Sequence, residues 1–170
     1  MRGDAIRFKA AGQALGTQAT RPPLYTAEER EKRDSTRWTL VQGLLAPFQF
    51  LVFLVSLALV LRSLAWGEGA VAADISVVIK TLTLYAIMVT GSIWEKVVFG
   101  KWLFARAFFW EDVFSMLVIA LHTTYLVMLL GNFGSFEQRI QIALAGYAAY
   151  VINAGQFLLK LRAARLEVAA

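Results

Sequence analysis

The sequence predicts an all-α, polytopic membrane protein: a four-transmembrane-helix bundle with an N-terminal helical extension on the cytoplasmic side. Three observations carry that expectation. Of the 170 residues, 58% are apolar and 17% charged, against roughly 45–50% and about 25% in an average soluble domain. The charge is segregated, with eight basic and five acidic side chains in residues 1–37 alone. Four apolar stretches then follow, each near the ~20 residues that cross a bilayer. A chain this short cannot bury so much apolar surface within itself. Soluble globular, disordered and collagen-like classes are therefore excluded.

Residues 1–24 are rich in Gly, Ala and Gln, lack apolar periodicity and end in Pro22-Pro23, so they are expected to form a mobile N-terminal tail. The first apolar run starts too late for a secretory signal peptide. Thr26 with Glu29 three residues on is a capping box, opening a charged helical stretch over 27–37. The membrane domain is expected over 25–166, with spans at about 38–61, 76–99, 108–130 and 140–161 and a C-terminal tail at 167–170. Gly67-Glu68-Gly69, Gly100-Lys101 and Gly131-Asn132-Phe133-Gly134 are the turns, short enough to set consecutive helices antiparallel. Pro47 inside the first span is expected to kink it and free a carbonyl, which membrane helices tolerate.

Basic residues set the orientation. The N-terminal segment, the 96–106 region (Lys96, Lys101, Arg106) and the C-terminal end (Lys160, Arg162, Arg165) are basic. The other side has only Arg62, Lys80 and Arg139, taken as lying near helix ends. Both termini and the middle loop are therefore expected in the cytoplasm. The net charge of +5 sits at membrane-flanking positions, where it records topology and lipid contact rather than nucleic acid. Zero cysteines remove disulfides, thiolate metal sites and cysteine nucleophiles. A single histidine removes multi-histidine metal centres.

Polar residues inside a membrane are costly and are functional candidates by default. On the helical period they form stripes: Trp38, Gln42, Gln49 and Ser56; Thr81, Tyr85, Ser92 and Glu95; Glu111, Ser115 and His122, with Asp112 one step round; Gly146, Tyr150, Asn153, Gln156 and Lys160. Counted from the cytoplasmic ends, Gln42, Glu95, Glu111, Asp112 and Gln156 lie roughly 5–8 Å deep, Gln49, Ser92, Ser115 and Asn153 about 10–16 Å, and His122 near 21 Å. The acids converge on one layer, and the opposite half is nearly all apolar. This asymmetry suggests a pocket open to the cytoplasmic interface rather than a channel.

Each position also has a structural reading. Glu95 and Lys96 can snorkel or pair locally, and Glu111-Asp112 can simply favour a helix N-terminus. Gln42, Gln49, Asn153 and Gln156 suit helix–helix contacts, and Trp38, Trp66, Trp94, Trp102 and Trp110 suit an aromatic belt. Two adjacent acids among Phe108, Phe109, Trp110 and Phe114 go further, because an apolar surround suits a general acid. Glu111 and His122 are about 16 Å apart along one helix and cannot form a dyad. No Ser-His-Asp set, Gly-rich phosphate loop or HExxH run occurs, which argues against hydrolases and nucleotide enzymes.

The runs WTLVQGLLAPFQFLVFLVSLALVLR (38–62), IMVTGSIWEKVVFG (87–100), LFARAFFWEDVFSMLVIALHTTYL (103–126) and YAAYVINAGQFLLKLR (147–162) resemble the 3-vinyl (bacterio)chlorophyllide hydratase family. The likeness extends from about Tyr25 to Arg165. It implies a hydro-lyase of bacteriochlorophyll biosynthesis in the inner, intracytoplasmic membrane of a phototrophic bacterium. Water would add across the C3 vinyl group of a (bacterio)chlorophyllide to give a 1-hydroxyethyl group, the precursor of the acetyl group of bacteriochlorophyll a. The resemblance supplies no residue roles.

Those come from spacing and depth. Hydration needs no cofactor: a carboxylic acid protonates the terminal vinyl carbon, and water attacks the adjacent cation with help from a base. Glu95, Glu111 and Asp112 form the catalytic pool, with Glu111 expected as acid and Glu95 as the water-orienting base. Lys96 would meet a propionate carboxylate, and His122 would ligate the substrate's Mg²⁺. Gln42, Gln49, Tyr85, Trp110, Ser115, Asn153 and Gln156 would line the pocket. Expected partners are the pigment substrate and membrane lipid, with neighbouring pigment-biosynthesis enzymes or a homo-oligomer left open. Two rivals use the same stripes: a non-catalytic pigment or quinone carrier, and a structural subunit of a larger membrane complex.

Overall fold

The computed structural model describes residues 23–169, so most of the tail expected over 1–24 lies outside the described residues. The described chain is all helical. Helix α1 spans Ala27–Ser35, α2 Arg37–Trp66, α3 Ala70–Phe99, α4 Phe109–Leu130 and α5 Phe136–Ala169. The capping box is present: Thr26 Oγ1 accepts from the Glu29 amide at 3.2 Å, and Glu29 accepts from the Thr26 amide at 2.7 Å. Thr36 closes α1 with its own N–H, and its hydroxyl caps α2, so the charged extension enters the first span across a single non-helical residue.

Helices α2 to α5 are each long and apolar enough to cross a membrane. Three of them, α2, α3 and α5, exceed the spans that hydropathy suggests, and α4 matches its own to within a residue. Pro47 lies inside a continuous α2, and α5 runs through the residues expected as a C-terminal tail. The largest difference is at the start of α3. Gly69, at φ +83°, delivers the chain into the helix at Ala70 rather than at residue 76. Asp74, which interrupts the apolar run, is absorbed by Tyr125 and Arg139. Lys80 therefore does not sit near a helix end. It lies ten residues, or ~15 Å, inside α3 and is fully buried.

The bundle is two antiparallel hairpins, α2–α3 and α4–α5, each packed closely within itself and more loosely against the other. Phe53, Val60, Val77, Leu84, Val118, Ile140 and Tyr147 form the apolar core. Leu44, Leu51, Val55, Leu82, Leu130, Leu158 and Leu159 face outward, as lipid contact requires. At the basic end, where α1, the α3–α4 loop and the end of α5 meet, Tyr25 stacks on Phe99 with centroids 5.7 Å apart. Trp94 meets both Phe99 and Phe108 edge-on, and α1 is thereby docked over this end.

Candidate active site between the two hairpins

The buried polar residues are concentrated along the seam where the hairpins meet. At the basic end the seam is capped by the loop 100–108. Gly100 ends α3 at φ +75°, and Phe104 adopts φ +59°, a left-handed conformation that costs a bulky residue on the order of 1–3 kcal/mol. The consequence is a pair of successive amides aimed at two acids, in the manner of an anion-binding nest. The Phe104 N–H donates to Asp112 Oδ2 at 2.6 Å, and the Ala105 N–H donates to Glu95 Oε2 at 3.1 Å.

Held by adjacent amides of one loop, the Glu95 and Asp112 carboxyls are brought side by side. Two such carboxyls can hydrogen-bond to each other when one of them carries a proton. Glu111, one residue away, is turned toward α5, where Lys160 Nζ lies 2.6 Å from its Oε2 and also donates to the Ala107 carbonyl. All three acids are buried. The layer thus divides into one ion pair and one pair of neighbouring carboxyls.

Deeper in the seam several polar atoms have no partner among the described residues. Gln49 is 2% exposed, and neither atom of its amide is hydrogen-bonded. Asn153 donates to Ser115 Oγ at 2.8 Å while its own Oδ1 is unpartnered, as is Gln156 Oε1. His122 is fully buried, with Nδ1 2.8 Å from the Val118 carbonyl. A carbonyl only accepts, so Nδ1 carries the hydrogen and Nε2 presents a free lone pair. Nothing meets that lone pair. Beside it, Lys80 Nζ lies 3.7 Å from the centroid of the Tyr150 ring and has no hydrogen-bond partner. The Ser56 hydroxyl is bonded to Tyr147 at 2.6 Å and to Ser76 at 2.8 Å. Past this level Tyr125 donates to Asp74, with Arg139 3.5 Å away, and the seam closes.

The imidazole position depends on Gly146, where a Cβ would stand 2.8 Å from the His122 ring. Gly146→Ala is therefore expected to displace the ring. The ring signals of His122, the single histidine of the chain, are expected to shift in the NMR spectrum relative to wild type. Unchanged signals would mean that the imidazole keeps its place.

The remaining sequence candidates divide. Gln42 donates to Thr90 at 2.8 Å, and Tyr85 bonds to Thr123 at 2.6 Å, so both tie helices together while half-buried. Lys96 is exposed and caps its own helix by donating to the Gly100 carbonyl at 2.9 Å, away from the seam. Trp110 is 65% exposed and edge-on to Phe109, also outside it. Lys80 was not among the sequence candidates for the site. The signal that could have found it is Gly67-Glu68-Gly69, read as the start of α3.

Residues 25–163 match the family model described as 2-vinyl bacteriochlorophyllide hydratase. The chain belongs to this family of hydratases. It is 66% identical over 147 residues to the 2-vinyl bacteriochlorophyllide hydratase of Cereibacter sphaeroides, covering 86% of this chain and 91% of that protein. It is also 66% identical over 150 residues to that of Rhodobacter capsulatus, covering 88% and 87%. No solved structure matches. The resemblance read from residues 38–62, 87–100, 103–126 and 147–162 therefore holds over most of the chain, and the long runs that carry it include Glu95, Glu111, Asp112 and His122.

Proposed function

We propose that this family member adds water to the vinyl group of a bacteriochlorophyllide and that the Glu95–Asp112 pair performs the proton transfers. The observation that carries this reading is the pair of buried carboxyls gripped by successive loop amides. In this reading the two carboxyls share one proton. The neutral member gives its proton to the terminal vinyl carbon, whose π electrons form the new C–H bond. The adjacent carbon becomes a cation delocalised by the macrocycle. Water attacks that carbon, and its surplus proton passes to the carboxylate left behind, which restores the pair. One water is consumed and no cofactor is drawn on. Glu111, held by Lys160, keeps the second role of fixing α4 against α5.

The basic end faces the cytoplasm of a bacterial inner membrane in this reading, following the basic residues. The macrocycle lies in the seam between the hairpins, and the loop 100–108 lifts to admit it. His122 Nε2 meets the substrate's Mg²⁺, while Gln49 and Asn153 offer their free polar atoms to the ring's periphery. The test is product analysis. Membranes of a non-phototrophic bacterium expressing the chain receive vinyl bacteriochlorophyllide in H₂¹⁸O, and the pigments are separated with mass detection. A hydrated pigment carrying ¹⁸O is expected. Bound but chemically unchanged pigment would transfer the site to a carrier.

A further inference from the structure

Lys80 is the one fully buried lysine among the described residues, and its ammonium has no hydrogen-bond partner. The groups facing it are uncharged or aromatic: Phe53 from α2, His122 from α4, Tyr150 from α5. The nearest acid on its own helix, Asp74, is engaged by Tyr125 and Arg139. A desolvated ammonium without a counter-ion is strongly unfavourable, and inside a membrane such a group marks a ligand or ion. What Lys80 lacks is an anion.

The substrate class supplies one. A chlorophyllide differs from a chlorophyll in that its propionic acid is unesterified, and this carboxylate is borne by the ring next to the one that carries the vinyl group. Lys80 and Glu95 are fifteen residues apart on α3, which is ~22 Å of axis and just over four turns, so both look into the seam. Once the reach of the two side chains is allowed for, that separation suits a macrocycle with its vinyl group at the acid pair and its propionate arm extended inward. Gln49 and His122 lie between these levels.

We infer that Lys80 is the buried counter-ion of the substrate's propionate carboxylate and that it selects free-acid pigments over esterified ones. This rests on the hydratase reading above. The rival anchor is the cleft of about 300 Å³ at the basic end that includes Lys101 and Arg106, which would place the carboxylate at the membrane surface.

The experiment compares vinyl bacteriochlorophyllide with its methyl ester on the full-length chain in detergent. Both hydration and equilibrium binding, by pigment absorbance, are followed. Wild type is expected to favour the free acid by on the order of 10²-fold in kcat/KM and Kd. Lys80→Met, which keeps the length of the side chain and removes its charge, is expected to bring the free acid down to the level of the ester. Lys80→Gln serves the same purpose should the Met variant not fold, and Lys101→Gln is expected to keep the wild-type ratio. A wild-type ratio near one, or a ratio retained in the Lys80 variants and lost in Lys101→Gln, overturns the assignment. Absence of hydrated product from wild type with either pigment sinks the hydratase reading instead, and the binding ratio then judges Lys80 by itself.

Discussion

Glu95→Gln and Asp112→Asn are each expected to lower kcat for vinyl hydration by about 10²–10⁴-fold, the range general acid–base catalysis contributes, while pigment binding persists. Either amide keeps the shape of the pair and can still take part in its hydrogen bonds. Neither can lose and regain a proton in turn, so one half of the addition is blocked. Glu111→Gln is expected to fall much less, because that carboxylate is committed to Lys160. Single-turnover hydration in detergent, with pigment binding measured in parallel, separates the three. Full activity in Glu95→Gln together with its loss in Glu111→Gln would return the acid role to Glu111.

Lys160→Met is expected to destabilise the bundle by about 3–5 kcal/mol, the usual consequence of leaving one member of a buried ion pair alone. Glu111 is 4% exposed, so its carboxylate cannot turn to water, and the Ala107 carbonyl loses its donor as well. The double variant Lys160→Met, Glu111→Gln is expected to recover much of the loss, since no unpaired charge then remains. Thermal unfolding in detergent reads both. A single variant as stable as wild type would mean that the pair adds nothing to the packing of α4 against α5.

The acids were legible in the sequence because a charge inside an apolar run stands out and helical periodicity gives its depth. Glu95, Glu111 and Asp112 do lie together at the basic end. Which of them couple was not legible. The expected partnership of Glu111 with Glu95 followed from shared depth, whereas two successive loop amides hold Glu95 beside Asp112. The difference comes from rotation: one residue is 100° of helix, enough to send Glu111 to Lys160 on α5 and Asp112 to the loop. Rotation likewise turns Lys96 and Trp110 away from the seam.

Lys80 was misplaced by a boundary. Asp74 interrupts the apolar run ahead of residue 76, yet it is tolerated within the helix by Tyr125 and Arg139, groups 51 and 65 residues away. By itself the sequence determined the membrane class, four membrane helices, their order and the family, because these follow from local hydropathy, turn residues and long runs that resemble the family. The tertiary structure alone decided which carboxyls sit side by side, which cation goes without a partner, and that Phe104 turns two amides onto the acids. Those depend on how rigid helices are rotated against one another and on a strained loop between them, and no periodicity within a single helix encodes either.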